Sequence, residues 1–486
     1  ITHARKFMSA ARAAARLKPV VVVKAGRHKA AARAAASHTG ALAGADEVYE
    51  AAFRRAGMLR VMDMQALFNA VETLAMARRF DGDGLAVLTN GGGMGVMATD
   101  VLIDKKGRLA ELSPETMDRL DKQLPPTWSH GNPVDIIGDA PPERYAGALQ
   151  TLLEDKGVNA VLILNCPTAV ASSTDAAHAV VDSLKESGPK YTGKGIFTCW
   201  LGEQTASEAR RLFCENRIPT YETPSDAVRG FMQMVRYRRS QESLLETPPG
   251  MPEVFEPDSK KVRDLLATAL QEKREWLTEV EAKSVLAAYK IPVVPTYEAA
   301  GPDEAAEAAG RIDGFAALKI LSPDITHKSE AGGVALNLSS PEAVAATAET
   351  MKAQIAEKLP DARLTGFTVQ PMVNRPHAAE LIVGVTDDVQ FGPVILFGQG
   401  GTAVEIIRDR AVALPPLNMH LAREVMERTR VYRLLQGYRG RPAANLDSIA
   451  WTLVKISQLI SDVAEIAELD INPLLADDQG VVALDA

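Results

Sequence analysis

Leu85-Ala86-Val87-Leu88-Thr89-Asn90 runs straight into Gly91-Gly92-Gly93-Met94-Gly95, and the reading of this stretch decides the fold. An uncharged run rich in Leu and Val reads as a buried strand. The glycines turn the chain sharply, and an apolar-periodic helix follows. A strand feeding a helix through such a turn opens a parallel α/β unit. Downstream the alternation continues: strands at 160–164, 196–200 and 218–221, with helices near 176–184, 205–216 and 225–238. Upstream, 1–16 reads as a helix, 20–23 as a strand, and 48–56 and 64–77 as helices. The glycine turn presents a helix N-terminus, where unpaired amides favour a phosphate or another anion. A tight turn with no ligand stays equally open. Val96 stands where GxGxxG needs its last glycine, so a nicotinamide site gains little support. No GxxxxGK[ST] occurs, which removes the P-loop NTPases.

Length and composition narrow the class. At 486 residues, about three domains are expected. Hydrophobic content of 46% and charged content of 24% fit a soluble globular chain. A net charge of -8 argues against a nucleic-acid partner, while local basic phosphate sites stay possible. The lack of a long apolar run predicts no membrane span. Three cysteines without a CxxC predict a reducing, cytoplasmic setting and neither zinc nor disulfides. The helix that opens at Ile1 and the strand pattern that stops at Ala486 read as a piece of a longer polypeptide.

Beyond a Pro/Gly-rich linker at Glu246–Pro252, a third unit from about Asp258 to the end has an α+β texture. Thr278 is expected to cap a helix through Tyr289. In the strand Ala316-Ala317-Leu318-Lys319-Ile320, a buried Lys319 demands an anionic partner. The polar, glycine-ended run Thr326-His327-Lys328-Ser329-Glu330-Ala331-Gly332-Gly333 suits a loop over phosphates. Phe391-Gly392-Pro393 and Gly398-Gln399-Gly400-Gly401 supply backbone for close approach, and Asp470-Ile471-Asn472-Pro473 with Asp485 supplies the oxygen ligands that Mg²⁺ prefers. His38, in Ser37-His38-Thr39-Gly40-Ala41-Leu42-Ala43-Gly44, has small neighbours and room for a nucleophilic imidazole. A lone histidine in such a turn is more often structural. A second histidine, His327, in a similar setting shifts that balance.

These residues resemble the NDP-forming acyl-CoA synthetases, relatives of succinyl-CoA synthetase. The SHTGALAG run is similar to that family's phosphohistidine loop, and Asn132-Pro133-Val134-Asp135 with Thr89-Asn90-Gly91 to its flavodoxin-like ligase domain. Residues 277–485 are similar to its ATP-grasp domain. The implied fold class is α/β, with flavodoxin-like parallel-sheet ligase domains followed by an ATP-grasp (α+β) domain. The implied domains are a partial succinyl-CoA synthetase-like domain at 1–80, a CoA-ligase domain at 81–243, a linker at 244–257 and the ATP-grasp domain at 258–486. By this resemblance His38 takes phosphate from an acyl phosphate and His327 shuttles it towards ADP. Lys319, Gly332 and Gly333 grip the nucleotide phosphates, and Gln370-Pro371-Met372-Val373 lines the adenine. Asn472 and Asp485 hold Mg²⁺, and Gly91, Gly92 and Gly93 bind the phosphate on His38. Implied ligands are a carboxylic acid, CoA and ATP or ADP with Mg²⁺, and a homo-oligomer is expected. Against the family pattern, the N-terminal CoA-binding domain and the glutamate that orients the active histidine are missing, which puts a complete CoA site in doubt. Gly92 and Met94 replace an expected Ala and Pro, which predicts a looser turn. The alternatives are an acyl-CoA- and nucleotide-sensing regulatory region fused to a C-terminal lysine acetyltransferase, and an ATP-grasp ligase without CoA chemistry; the presence of His38 speaks against both.

Overall fold

The structure is a computed structural model that describes residues 1, 3–28, 31, 45–188, 193–248, 255–322, 324–325, 328, 331–401 and 407–486. The chain forms two compact units: Lys6–Ala41 with Phe53–Leu245, and Ile1–Arg5 with Leu42–Ala52 and Glu246–Ala486. Among the described residues no helix is long and apolar enough to cross a membrane.

In the first unit, helix α1 (Ala4–Leu17) leads to strand β1 (Val21–Val23). Beyond helix α2 (Asp46–Arg55), most of which counts with the other unit, β2 (Leu59–Val61) pairs in parallel with β1, and α3 (Met64–Met76) follows. Asp63 starts α3 by accepting the Ala66 amide at 2.7 Å, a side-chain cap on an otherwise unpaired donor.

The larger sheet contains β3 (Gly84–Thr89), β4 (Arg108–Leu109), β5 (Val134–Asp135), β6 (Ala160–Asn165), β7 (Gly195–Trp200) and β8 (Thr220–Tyr221). Its order is β4-β3-β6-β7-β8, with β5 also on β3, and every pairing is parallel. Strands β3, β6 and β7 are buried at every position because helices cover both faces. These are α4 (Gly92–Asp104), α5 (Pro114–Gln123), α6 (Pro142–Glu154), α7 (Ser173–Glu186), α8 (Ser207–Glu215) and α9 (Pro224–Leu245). The strand order reverses between β3 and β6, and the crevice beyond their carboxyl ends is where such sheets bind ligands.

The second unit adds α10 (Ser259–Gln271), which the sequence reading passed over, and α11 (Glu279–Ala288). A four-stranded antiparallel sheet follows, from β9 (Tyr297–Ala299), β10 (Ala316–Leu321), β11 (Val334–Leu338) and β12 (Gly366–Pro371), in the order β11-β10-β12-β9. Helices α12 (Pro302–Ala309) and α13 (Pro341–Lys358) close one core with it. The second antiparallel sheet holds β13 (Ala379–Asp388), β14 (Gly392–Gln399), β15 (Arg410–Ala413), β16 (Glu468–Asp477) and β17 (Gly480–Ala483). Its helices are α14 (Met419–Glu427), α15 (Val431–Leu435) and α16 (Leu446–Asp462). Residues 372–378 join the two sheets. Along β13 alternate residues such as Leu381, Val383 and Val385 enter the core. This leaves the other face of the sheet for polar groups.

Candidate functional site

At the carboxyl ends of β3 and β6 the Asn90 side chain ties the two strands together. The Cys166 amide donates to Asn90 Oδ1 at 2.7 Å, and Asn90 Nδ2 donates to the Cys166 carbonyl at 2.9 Å. Gly91 then caps α4 with extended backbone and no side-chain bond. Among the described residues the amides of Gly92 and Gly93 have no partner, as a helix N-terminus dictates. A Cβ on Gly91 would lie 2.5 Å from Cys166 Sγ, and one on Gly92 2.6 Å from Asp135 Oδ2. Gly93 has nothing within 4 Å. Gly92 therefore does not loosen the turn as expected; it is packed against a carboxylate, and the open approach lies over Gly93. His38 lies outside the described residues, and so does His327.

In the second unit the expected anionic partner of Lys319 is Glu279, which the sequence reading missed. Glu279 is the first residue of α11. Thr278 and Glu281 form a capping box there: Thr278 Oγ1 accepts the Glu281 amide at 3.3 Å, and Glu281 Oε2 accepts the Thr278 amide at 2.8 Å. Arg274 grips Glu281 through two hydrogen bonds of 2.8 Å. Residues two apart on a helix diverge by about 200°, so a Glu281 held by Arg274 at the partly exposed face turns Glu279 inward. The Glu279 side chain is 1% exposed.

Glu279 Oε1 accepts from Lys283 Nζ at 2.8 Å and Lys319 Nζ at 2.9 Å, and its Oε2 from Lys328 Nζ at 3.2 Å. Burial alone would raise the Glu279 pKa, but the ammoniums of Lys319, Lys283 and Lys328 outweigh it and hold the carboxyl at about 2. Burial lowers the pKa of Lys283, whose remaining donors go to Thr296 Oγ1 and Gln370 Oε1, both at 2.8 Å. Lys319 also bonds Asp485 Oδ2 at 3.1 Å and the Leu484 carbonyl at 3.4 Å. Burial opposes its charge, yet Asp485 and Glu279 raise its pKa on balance.

The metal candidates lie beside this cluster. Asn472, on β16, accepts the Gly401 amide on Oδ1 at 3.0 Å. Asp485 lies just beyond β17. Asp470, whose side chain is exposed on β16, has a raised pKa from partial desolvation and from the neighbouring carboxylates of Asp485 and Glu468. Among the described residues no group of three His, Cys, Asp or Glu side chains could hold a metal ion. An all-oxygen set of one amide and one or two carboxylates still suits Mg²⁺, which keeps several waters.

The remaining predicted residues have local partners. Gly333 donates its amide to the Lys328 carbonyl at 2.7 Å, and its carbonyl accepts the Ile320 amide at 2.9 Å. A Cβ there would meet Ile320 Cδ1 at 2.4 Å. Gly332 sits at φ +76, where glycine is favoured. The pair thus fastens the Lys328 segment to β10. Gln370 is turned to Lys283, and the Met372 amide donates to the Phe315 carbonyl at 2.8 Å. Val373 follows in the 372–378 connection.

The chain thus joins a parallel-sheet unit that opens a helix at a glycine turn to a unit of two antiparallel sheets that holds a lysine–carboxylate cluster. Three family models match in that order: a succinyl-CoA ligase like flavodoxin domain at 1–74, a Ligase-CoA domain at 85–244 and an ATP-grasp domain at 268–486. Among curated proteins the chain is 37% identical over 487 aligned residues to an ADP-forming acetate–CoA ligase I of Archaeoglobus fulgidus, covering 100% of this chain and 68% of the relative. It is 32% identical to a 4-hydroxybutyrate–CoA ligase of Nitrosopumilus maritimus, covering 95% of this chain and 65% of the relative. A solved acetyl-coenzyme A synthetase 1 of Ca. Korarchaeum cryptofilum, in complex with phosphate and ADP, matches at 34% identity and TM-score 0.46, over 50% of this chain and 53% of that one. The chain belongs to the family of ADP-forming acyl-CoA synthetases, of the acetate–CoA ligase type. It spans about two thirds of the length of the curated relatives it matches. These relatives are ligases by name, and the acetyltransferase-regulator reading has no support among them.

Proposed function

We propose that the chain supplies the phosphoryl-relay and nucleotide-handling parts of an acyl-CoA synthetase. That enzyme converts a carboxylic acid, CoA and ATP into acyl-CoA, ADP and phosphate through acyl phosphate and phosphohistidine intermediates. The roles fall to residues 1–80 and 81–243 for the acyl and phosphohistidine chemistry and 258–486 for the nucleotide. The observation that carries this reading is the buried Glu279–Lys283–Lys319 cluster, with Lys328 and Asp485 at its edge. Clustered ammoniums beside oxygen ligands for a metal suit a polyphosphate.

In the acyl-CoA-forming direction a carboxylate oxygen of the acid attacks the phosphorus carried on His38 and the imidazole nitrogen leaves with the P–N electron pair. The thiol of CoA then attacks the acyl carbon of the acyl phosphate, and inorganic phosphate leaves with the C–O electron pair. In the ATP-consuming direction the phosphoryl group arrives at His38 from His327, which takes it from ATP. The unpaired Gly92 and Gly93 amides at the start of α4 stabilise the phosphate on His38, where the helix dipole favours negative charge. Lys319, its donors engaged by Glu279, Asp485 and the Leu484 carbonyl, contributes positive charge towards the nucleotide phosphates from the wall of the site, and Val373 contributes backbone beside the base. Asn472 and Asp485, with Asp470, would hold Mg²⁺, which neutralises phosphate charge when bound.

The relay is tested on the intact protein that carries this chain, using γ-labelled ATP with Mg²⁺. Acid-labile, base-stable protein phosphate is expected, and His38→Ala should abolish turnover. No label on wild type, or normal turnover in His38→Ala, rejects the relay. CoA-dependent ADP release across a panel of carboxylic acids identifies the substrate.

A further inference from the structure

The three lysines on Glu279 are not equivalent. Lys283 has three acceptors: Glu279 Oε1, Thr296 Oγ1 and Gln370 Oε1. Lys319 likewise has Glu279 Oε1, Asp485 Oδ2 and the Leu484 carbonyl. An ammonium has three N–H donors, so neither has one left for a ligand unless a bond is broken. Lys328 bonds only Glu279 Oε2 among the described residues. Exposure follows the same order, with side chains 4% exposed at Lys283, 8% at Lys319 and 23% at Lys328. The outermost lysine is therefore the one with donors to offer.

We infer that Glu279 is a positioning residue of the nucleotide site and that Lys328 is the lysine it presents to an incoming phosphate. The inference rests on the nucleotide reading above and deepens it. Glu279 Oε1 locks Lys283 and Lys319 into the wall of the site, while Oε2 holds Lys328 at its rim, where its ammonium bonds no other group among the described residues. The Gly333 amide secures the same residue from behind, through the Lys328 carbonyl at 2.7 Å. Side chain and backbone of Lys328 are thus both fixed before a ligand arrives, which reduces the ordering cost of binding. Lys328 follows His327 directly in the chain, so the carboxylate that presents the lysine also anchors the residue beside the second histidine.

Charge alone predicts the opposite outcome. If Glu279 merely repelled phosphate, its neutralisation would strengthen binding. In the positioning reading, removing it strands buried ammoniums without a counter-ion, and they shed protons or move apart. Affinity then falls.

The test is calorimetric titration of the intact protein with ADP and Mg²⁺ for wild type, Glu279→Gln, Glu279→Asp, Lys328→Met and the double variant Glu279→Gln/Lys328→Met. Loss of a charge-assisted contact predicts about tenfold or greater weakening in Lys328→Met and in Glu279→Gln. The double variant should be no weaker than the weaker single one, because both remove the same contact. Glu279→Asp, which keeps the charge, should recover part of the loss. Tighter binding in Glu279→Gln, fully additive losses, or unchanged affinity in Lys328→Met would each overturn the inference while leaving the nucleotide reading intact. Should Glu279→Gln fold poorly, Lys328→Met alone still decides, since its side chain lies at the rim. No binding of ADP by wild type would reject the nucleotide reading and this inference with it.

Discussion

At Gly92 a methyl group would sit 2.6 Å from Asp135 Oδ2, whereas at Gly93, one residue on, it would meet nothing within 4 Å. The two glycines therefore answer differently to the same substitution. Gly92→Ala forces Asp135 or the helix to shift and should cost about 1–3 kcal/mol. Gly93→Ala should be neutral or stabilising by up to about 1 kcal/mol, because alanine is the better helix former. Urea denaturation followed through Trp128 and Trp200, both buried in this unit, compares them. Equal effects would show that the crowding at Gly92 is not real. Sequence alone marked both residues as one glycine turn, and the neighbour that separates them comes from a strand more than forty positions away.

At the scale of the element, α11 decides which way its carboxylates point. Thr278 as N-cap and the helix through to Tyr289 were legible, since Thr-x-x-Glu before an apolar run is a capping box. The burial of Glu279 was not. Glu279 and Lys283 at i and i+4 read equally well as an exposed surface pair. Removing the cap with Thr278→Ala should cost about 1 kcal/mol of stability. Because that cap fixes the rotation of the first turn, it should also weaken binding of ADP with Mg²⁺. A denaturant series paired with titration checks both, and an unaffected ADP affinity would detach the site from the cap. Helix α10 was missed for a different reason. It follows directly on an unpatterned linker, and Asp258 reads as readily as a loop residue as the cap that it is, accepting the Lys261 amide at 3.0 Å.

At the scale of the molecule, the Glu279 cluster makes stability of the second unit depend on pH. Its carboxyl is held at about 2 against an ordinary 4.5. A depressed carboxylate stabilises the fold above its unfolded pKa, and that stabilisation disappears as pH falls from 4.5 through about 2. Denaturant midpoints followed through Trp276 and Trp451 should fall across this window in wild type. Glu279→Gln should be less stable above it and flatter within it. An equal slope in both proteins would show that Glu279 is not ionised in the folded chain.

The sequence by itself determined the parallel α/β unit, the α+β unit after it and the family, because apolar periodicity, glycine turns and contiguous motifs are local properties. It also required that Lys319, buried in a strand, find an anion. Only the tertiary structure decided that the anion is Glu279, that Asp485 shares the same lysine, and that Lys328 reaches the other oxygen of that carboxylate. Those three facts depend on β10, α11 and the segment after β17 converging from positions as far apart as 279 and 485. Charge pairing in a buried cluster is settled by distance and by desolvation, and neither quantity is written in the spacing of residues along a chain.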